Sequence, residues 1–175
     1  MTTRSRTKND EALFNALLFL LRTKTIEQIS ITELCKAAAV SRMSYYRNYQ
    51  SIEDIITAKL NDIFSHAMRF MSKYKLTTPA EFGQLFFSFF QDYTTDLRTL
   101  ISSDLKFLVS YAFKDDIKIL INHHLVQVSV PEDEYWLAFV ASGLTESLFL
   151  WSLNGAVETP EQMGRIVSHI INHQR

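Results

Sequence analysis

The sequence is poor in the residues that interrupt helices. Its 175 residues include only four Gly and three Pro. An all-β fold needs a turn roughly every ten residues, and such turns depend heavily on these two residue types. Their scarcity therefore argues against an all-β fold and favours long helices.

Cysteine and long apolar runs are also scarce. Cys35 is the only cysteine, which excludes an internal disulfide framework and is typical of a reducing cytoplasm. The first ten residues, MTTRSRTKND, lack the apolar core of a secretion signal, and no later segment has eighteen consecutive apolar residues. We therefore expect a soluble, cytoplasmic protein without a membrane segment.

The charge is close to balanced overall but is unevenly placed. Residues 1–60 carry nine Lys/Arg and six Asp/Glu, a net +3, whereas residues 61–175 carry nine and thirteen, a net −4. The sequence thus has a mildly basic head on an acidic body, which is weak evidence for an anionic partner of the head.

Apolar spacing and capping residues predict an all-α fold. The first helix is expected over residues 9–21, with Asn9 or Asp10 as its cap. Ser30 opens a short second helix and Ser41 a third. Later helices are expected from Ser51 to about Lys75, from Pro79, from about Asp104 to His124, over 132–154, and from Pro160 to near His173. The alternating segment LVQVSV (125–130) is interpreted as a helix end and loop.

The stretch VSRMSYYRNY (40–49) gathers hydrogen-bond donors without a single acid. On a helical wheel Tyr45 and Tyr49 share one side of the third helix, and Met43, Ser44 and Arg47 lie on the other with Asn48. A polar helix face is often only solvated. A face of donors without acids is also typical of a surface that contacts phosphates and base edges.

The segment ITELCKAAAVSRMSYYRNYQSIEDII resembles the helix-turn-helix of TetR-type transcriptional repressors. The resemblance is close over residues 9–60 and loose over the rest. It implies an N-terminal three-helix DNA-binding domain (1–51) and a C-terminal helical domain for effector binding and dimerisation (52–175). It further implies that DNA is contacted by Ser41, Arg42, Met43, Ser44, Tyr46, Arg47 and Asn48, with Arg42, Met43 and Arg47 facing bases or flanking phosphates, and with Ser44, Tyr46 and Asn48 on the sugar-phosphate backbone.

Two positions depart from the pattern of the family. Ala39 replaces the usual turn glycine, so its backbone either avoids positive φ or carries strain. Ile52 stands where relatives often have a Lys, so one phosphate contact is lost unless the N–H groups of that helix start supply it. Arg4, Arg6 and Lys8 offer a compensating arm, although a solvated tail is an equal alternative.

The C-terminal segment from 135 to 173 presents more apolar surface than a small body usually hides. The resemblance implies a homodimer whose four-helix bundle uses the last two helices of each subunit. Such a two-fold pair spans two DNA half-sites that are about 34–36 Å, or a multiple of that distance, apart. The alternative is a helix central to the subunit's own core. The expected interface residues are Phe139, Gly143, Leu144, Leu148, Trp151, Ile166 and Ile170.

Aromatic residues are concentrated between positions 60 and 125. Such a stripe is typical of a packed core, but in TetR-type proteins the equivalent helices enclose an effector cavity, and the 52–75 helix transmits ligand entry to the DNA-binding domain. The resemblance therefore implies a pocket for a small, hydrophobic ligand. The expected lining residues are Phe64, Phe86, Phe90, Phe107 and Tyr111.

Other chemistry finds little support in the sequence. The pair His169 and His173 supplies at most two metal ligands, His123 and His124 are adjacent, and no cysteine or acid pair completes a set. No nucleophile motif or phosphate-binding glycine loop is present, so we expect neither an enzyme nor a metal or cofactor. The interpretation is a homodimeric repressor that a hydrophobic effector releases from a palindromic operator in double-stranded DNA. The alternative is a TetR-like adaptor or coactivator that acts through a protein partner without strong DNA binding.

Overall fold

The computed structural model describes residues 3–124 and 134–172, with side chains from Lys8 to Ile121 and from Glu134 to Ile171. These residues form helices and contain no strand, which confirms the predicted all-α class. The segment LVQVSV, Pro131 and His173 lie outside the described residues, as do the side chains of Arg4 and Arg6. The helices are α1 (Thr3–Leu21), α2 (Ile31–Ala37), α3 (Arg42–Asn48), α4 (Ile52–Met71), α5 (Pro79–Phe90), α6 (Thr94–Leu100), α7 (Lys106–His124), α8 (Glu134–Leu153) and α9 (Pro160–Asn172).

Local side-chain caps define where several helices begin. The hydroxyl of Ser30 accepts a hydrogen bond from the backbone N–H of Glu33 at 3.1 Å. Thr78 and Glu81 cap each other reciprocally at the start of α5, where Pro79 occupies the first turn. Each such cap satisfies amide groups that have no partner within the helix. The predicted helix starts at Ser30 and at Pro79 are therefore confirmed.

Two helix boundaries differ from the sequence prediction. Helix α1 begins at Thr3 rather than at Asn9, so Asn9 and Asp10 lie inside the helix and do not cap it. The helix that starts after Ser51 ends at Met71 instead of Lys75. Helix α6 was not predicted at all, because its short sequence TTDLRTL has too little apolar periodicity.

The first compact unit consists of residues 1–62 with 99–109. Its core is built from α1, α2, α3 and the first part of α4, where the buried side chains include Leu17, Leu34, Tyr45 and Ile56. The predicted domain boundary at 51/52 precedes the division seen here, which falls within α4 after Asp62. The basic head of the sequence is thus one unit with its own apolar core.

The second compact unit consists of residues 63–98 and 110–175. Aromatic rings dominate its interior: Phe64 packs edge-on against Phe113 with centroids 4.4 Å apart, and Phe87 packs edge-on against Trp151 at 5.2 Å. Helices α5 and α9 lie in direct backbone contact at Gly83 and Gly164. These contacts give the unit a continuous apolar core.

Helix α8 is the one described helix that is long and apolar enough to cross a membrane by length and composition. Along one side it buries Leu144, Leu148 and Trp151 among other residues of the second unit. A core helix of a soluble protein passes the same length and composition test. The packing of α8 agrees with the expectation of a soluble chain.

Candidate nucleic-acid interface

Helix α3 is a seven-residue helix with a defined start and end. The Ser41 hydroxyl accepts a hydrogen bond from the N–H of Ser44 at 3.2 Å, and Ser41 itself has an extended backbone conformation. At the other end Tyr49 returns to an extended conformation. The cap predicted at Ser41 is present, and α3 packs one side against the core of the first unit.

Five of the seven predicted DNA contacts lie on the surface of α3. Ser41, Arg42 and Arg47 are exposed, as are Met43 and Tyr46, whose exposed fractions are 75% and 61%. A large apolar side chain and a large aromatic side chain thus stand in solvent on the same short helix. Together these residues form the exposed face of α3, which contains two guanidinium groups and no carboxylate.

The other two predicted contacts are less exposed and are hydrogen-bonded within the unit. Ser44 is only 6% exposed, and its hydroxyl accepts a hydrogen bond from the Asn9 amide at 3.1 Å. The Asn48 amide donates to the Ser44 carbonyl oxygen at 3.0 Å, within α3. The predicted role of Ser44 on the sugar-phosphate backbone therefore needs a correction, since Ser44 holds α3 to α1. Asn48 is half-buried, and its amide is engaged by its own helix.

The buried side of α3 carries two tyrosines. Tyr45 is fully buried, and its hydroxyl has no hydrogen-bond partner in the structure. Burial, followed by the nearby Asp54 carboxylate, raises the pKa of Tyr45 to about 12. The Tyr49 hydroxyl donates to the Asp10 carboxylate at 2.8 Å. These two rings fix the side of α3 that faces the core.

The turn between α2 and α3 contains a strained residue. Ala39 has φ of +52°, in the left-handed region that favours glycine. The N–H of the next residue, Val40, donates to the carbonyl oxygen of Cys35 at 2.9 Å, which closes the end of α2. Of the two alternatives for Ala39, the structure therefore shows strain at positive φ.

The start of α4 is less suited to a phosphate than the family pattern suggests. Ile52 is buried, so its side chain packs inside the unit. The Asp54 carboxylate accepts hydrogen bonds from the N–H groups of Gln50 and Ser51 at 2.8 and 3.0 Å. These backbone bonds lower the pKa of Asp54, so the helix start carries a fixed negative charge.

In the second unit, α8 and α9 share an exposed apolar surface. Of the seven predicted interface residues, Phe139, Gly143, Ile166 and Ile170 are exposed. Leu144, Leu148 and Trp151 are buried inside the same unit, where the Trp151 indole N–H donates to the carbonyl oxygen of Glu158 at 2.9 Å. One side of α8 therefore belongs to the core of the subunit, and the other side is exposed to solvent.

Sequence reasoning missed three members of this open side. Tyr135, Leu150 and Leu153 are exposed, and helical periodicity places them on the same side of α8 as Phe139, with the exposed Glu146 between Gly143 and Leu150. We call Tyr135, Phe139, Gly143, Leu150, Leu153, Ile166 and Ile170 the α8–α9 face. Because α8 is apolar around most of its circumference, its sequence alone does not separate these exposed residues from the buried ones.

An apolar groove of about 100 Å³ opens between α8, α9 and α5. Its walls include Trp136, Phe139 and Ile170, and Phe82 forms part of its lining from α5. Ser147 contributes one hydroxyl. The groove is continuous with the α8–α9 face, with which it shares Phe139, Gly143 and Ile170.

The five predicted effector-pocket residues separate into two groups. Phe64, Phe86 and Phe90 are buried and pack against one another, with Phe90 at 5.6 Å from Phe64 and 4.7 Å from Phe86 between ring centroids. Phe107 and Tyr111 lie on the surface of α7 with exposed fractions of 81% and 72%. The structure thus does not bring the five together around one cavity. Among the described residues no group of three or more His, Cys, Asp or Glu side chains is placed to hold a metal ion.

The architecture is that of the TetR-type transcriptional regulators. Lin0861 from Listeria innocua superposes with a TM-score of 0.80 at 18% identity, covering 100% of this chain and 95% of that one. A TetR transcriptional regulator from Streptococcus agalactiae 2603V gives 0.69 at 22% identity, covering 96% of both chains.

A third solved structure, the dihydroxyacetone kinase operon activator DhaS, gives a TM-score of 0.61 at 10% identity over 95% of both chains. No protein-family model and no curated protein matches the sequence. The superpositions establish the fold, but at identities this low they do not establish the function.

Proposed function

We propose that the chain is a DNA-binding transcriptional regulator that acts as a homodimer in the cytoplasm, without catalytic activity. The observation that carries this proposal is the exposed face of α3. It presents Arg42, Met43, Tyr46 and Arg47 to solvent on a helix short enough to enter a major groove. The fold supports it as well, because neighbours of the same architecture include a transcriptional regulator and an operon activator.

The side chains of this face match the chemistry of duplex DNA. A guanidinium group pairs in bidentate fashion with O6 and N7 of guanine, so Arg42 and Arg47 are assigned to base reading. The Tyr46 hydroxyl is assigned to a phosphate oxygen, and the Met43 side chain to an apolar contact such as a thymine methyl group. Absence of carboxylates from residues 40–49 removes a source of repulsion.

Dimerisation is proposed through the α8–α9 face. Its exposed aromatic and aliphatic side chains share one side of α8 and the adjoining surface of α9, and an apolar groove is continuous with them, as expected of a protein–protein contact. A two-fold pair would place two copies of α3 in successive major-groove turns, about 34–36 Å apart. Leu144, Leu148 and Trp151, which were also predicted for the interface, are buried within the subunit and support this face from below.

The test uses a random pool of 30-base-pair duplexes from which the wild-type chain enriches a preferred sequence. Arg47→Ala should weaken binding to that sequence by about 1–3 kcal/mol, and Tyr46→Phe by less. Arg98→Ala, which alters an arginine of α6 far along the sequence, is the charge-matched control. Failure to enrich any duplex at low salt, or equal binding by Arg47→Ala, would contradict the proposal.

The adaptor remains the second candidate because of two observations. Phe107 and Tyr111 stand one helical turn apart on α7 and are largely exposed, as expected of a protein-binding surface. The negative Asp54 at the start of α4 weakens the phosphate contact expected there. Salt separates the candidates, since DNA affinity falls steeply with salt whereas an adaptor shows no such binding.

A small hydrophobic effector is part of the proposal, with release of DNA as its expected effect. A ligand that enters between Phe64, Phe86 and Phe90 must part rings that are now in contact. Phe107 and Tyr111 would not line such a site, because both are exposed. One neighbour is described as an operon activator, so transcription assays with and without candidate ligands decide between repression and activation.

A further inference from the structure

Two adjacent residues of α1 are hydrogen-bonded to α3. The Asn9 side-chain amide donates to the Ser44 hydroxyl at 3.1 Å, and the Asp10 carboxylate accepts from the Tyr49 hydroxyl at 2.8 Å. Both bonds span more than thirty residues of sequence, and their four partners are half-buried or buried. Asn9 and Asp10 lie inside α1, so neither is needed to cap a helix.

The two attachment points are five residues apart: Ser44 lies inside α3, and Tyr49 is the extended residue that ends it. A seven-residue helix has little stability or fixed direction of its own. The apolar contacts of Tyr45 and Tyr49 hold it against the core, but such contacts are not directional. Two hydrogen bonds at separated points also fix rotation about its axis.

Rotation of α3 decides where its arginines point. A turn of 10° about the axis moves a guanidinium group by about 1 Å, which exceeds the tolerance of a bidentate contact. Contacts to phosphate by flexible, charged side chains tolerate such a shift better, since they depend mainly on charge. Loss of the attachment should therefore affect sequence discrimination more than overall affinity.

We propose that Asn9 and Asp10 are positioning residues that set the rotation of α3 for base reading. This inference rests on the proposed function, because it concerns how specifically the same face reads DNA. The alternative is that the two bonds only stabilise the fold. In that case their loss lowers the folded fraction but leaves unchanged the ratio between affinity for the preferred duplex and affinity for random DNA.

Asp10 allows a matched pair of variants. Asp10→Asn and Asp10→Ala both remove the negative charge, so any general effect of charge on DNA affinity is the same in both. Only Asp10→Asn keeps an oxygen that can accept the hydrogen bond from Tyr49. The difference between the two variants therefore reports the hydrogen bond alone.

The experiment measures affinity for the duplex enriched by the wild-type chain and for the unselected pool, at one salt concentration. Asp10→Ala should reduce the ratio of the two affinities by about fivefold to tenfold. Asp10→Asn should restore the ratio to within about twofold of the wild-type value. Glu11→Ala, which removes the neighbouring exposed carboxylate, should leave the ratio unchanged.

The hydrogen bond between Asn9 and Ser44 allows a second, independent test. Asn9→Ala and Ser44→Ala each break the same bond, so the double variant should lose no more discrimination than either single variant. Urea unfolding of every variant gives the folded fraction for correction. If the losses of the two single variants simply add, Asn9 does not act through Ser44.

Each outcome has one meaning. If the wild-type chain enriches no duplex, the proposed function fails and the inference falls with it. If enrichment succeeds but Asp10→Ala and Asp10→Asn discriminate equally well, the inference is overturned while the proposed function stands. A lower ratio for Asp10→Ala with rescue by Asp10→Asn supports the positioning role.

Discussion

Gly164 of α9 lies directly on the backbone of α5, next to Ala80. A Cβ atom built on Gly164 would be 2.5 Å from the carbonyl oxygen of Ala80 and 2.8 Å from the backbone nitrogen of Gln84. No side chain can occupy that space unless one helix moves. Because α9 contributes Ile166 and Ile170 to the α8–α9 face, this contact fixes the position of part of the proposed dimer surface.

We therefore expect Gly164→Ala to lower the free energy of unfolding by about 1–3 kcal/mol. Gly143→Ala is the control, since a Cβ at Gly143 meets no atom within 4 Å and alanine is the better residue inside a helix. That variant should be neutral or slightly more stable as a monomer. Urea unfolding at low protein concentration measures both. Equal stability of the two variants would contradict the close approach of α5 and α9.

Ala39→Gly should stabilise the first unit. Ala39 holds φ of +52°, where a Cβ costs about 1 kcal/mol that glycine does not pay. Ala38 has φ of −79° in the right-handed region, so Ala38→Gly serves as the matched control and should destabilise the chain by up to about 1 kcal/mol. Thermal unfolding of both variants tests the sign. A loss of stability in Ala39→Gly would show that the turn gains from its alanine side chain.

Features with local causes were predictable from the sequence. The caps at Ser30, Ser41 and Thr78 each depend on a residue three positions away, and such short spacings are visible in one chain. The all-α class follows similarly from the scarcity of Gly and Pro. The exposed Arg42 and Arg47 were found by helical periodicity together with the resemblance.

Features with tertiary causes were not predictable. Helical periodicity and the resemblance predict Ser44 on the DNA side, whereas its hydrogen-bond partner Asn9 is 35 residues away and no local pattern reveals the pair. Helix α8 is apolar around most of its circumference, so periodicity could not tell the core residue Leu148 from the exposed Leu150. Phe107 and Tyr111 are aromatic residues that the fold leaves outside, which composition does not reveal.

Tyr45→Phe should leave the chain as stable as wild type or make it more stable, by up to about 1 kcal/mol. The Tyr45 hydroxyl is buried without a partner, so its removal loses no hydrogen bond. The pKa of Tyr45 is about 12 in the folded chain and about 10 when unfolded. The free energy of unfolding is therefore unaffected by ionisation of this hydroxyl below pH 10. It falls as the pH rises from 10 towards 12, because the hydroxyl ionises more readily in the unfolded chain. Urea unfolding from pH 7 to pH 12 should therefore show a growing advantage of Tyr45→Phe, and a constant difference would contradict the burial.

Phe139→Glu and Ile170→Glu should abolish the proposed dimer. Both side chains are exposed in the subunit, so the new charges remain hydrated in the monomer but would be buried without a partner in a dimer. Tyr111→Glu places the same charge on the exposed side of α7 and should leave the dimer intact. Sedimentation at micromolar concentration measures the association state. A wild-type monomer, or a dimer in both interface variants, would exclude the α8–α9 face.

Asp54→Ser should weaken the fold while strengthening DNA binding. The Asp54 carboxylate accepts two backbone N–H groups before α4, so its loss should cost about 1 kcal/mol of stability at pH 7. Because those bonds lower the pKa of Asp54, the stability it provides is present at neutral pH and is lost as the pH falls through the lowered pKa, so the two chains should converge in acid.

DNA affinity should rise, because a negative charge near the phosphate backbone is removed. Glu53→Ser is the control for charge alone. Glu53 lies in the same first turn of α4, but the bonds to the N–H groups of Gln50 and Ser51 are made by Asp54. Gel-shift titration and urea unfolding on the same samples test both effects, and lower DNA affinity in Asp54→Ser would show that the shape of this cap matters more to the DNA contact than its charge.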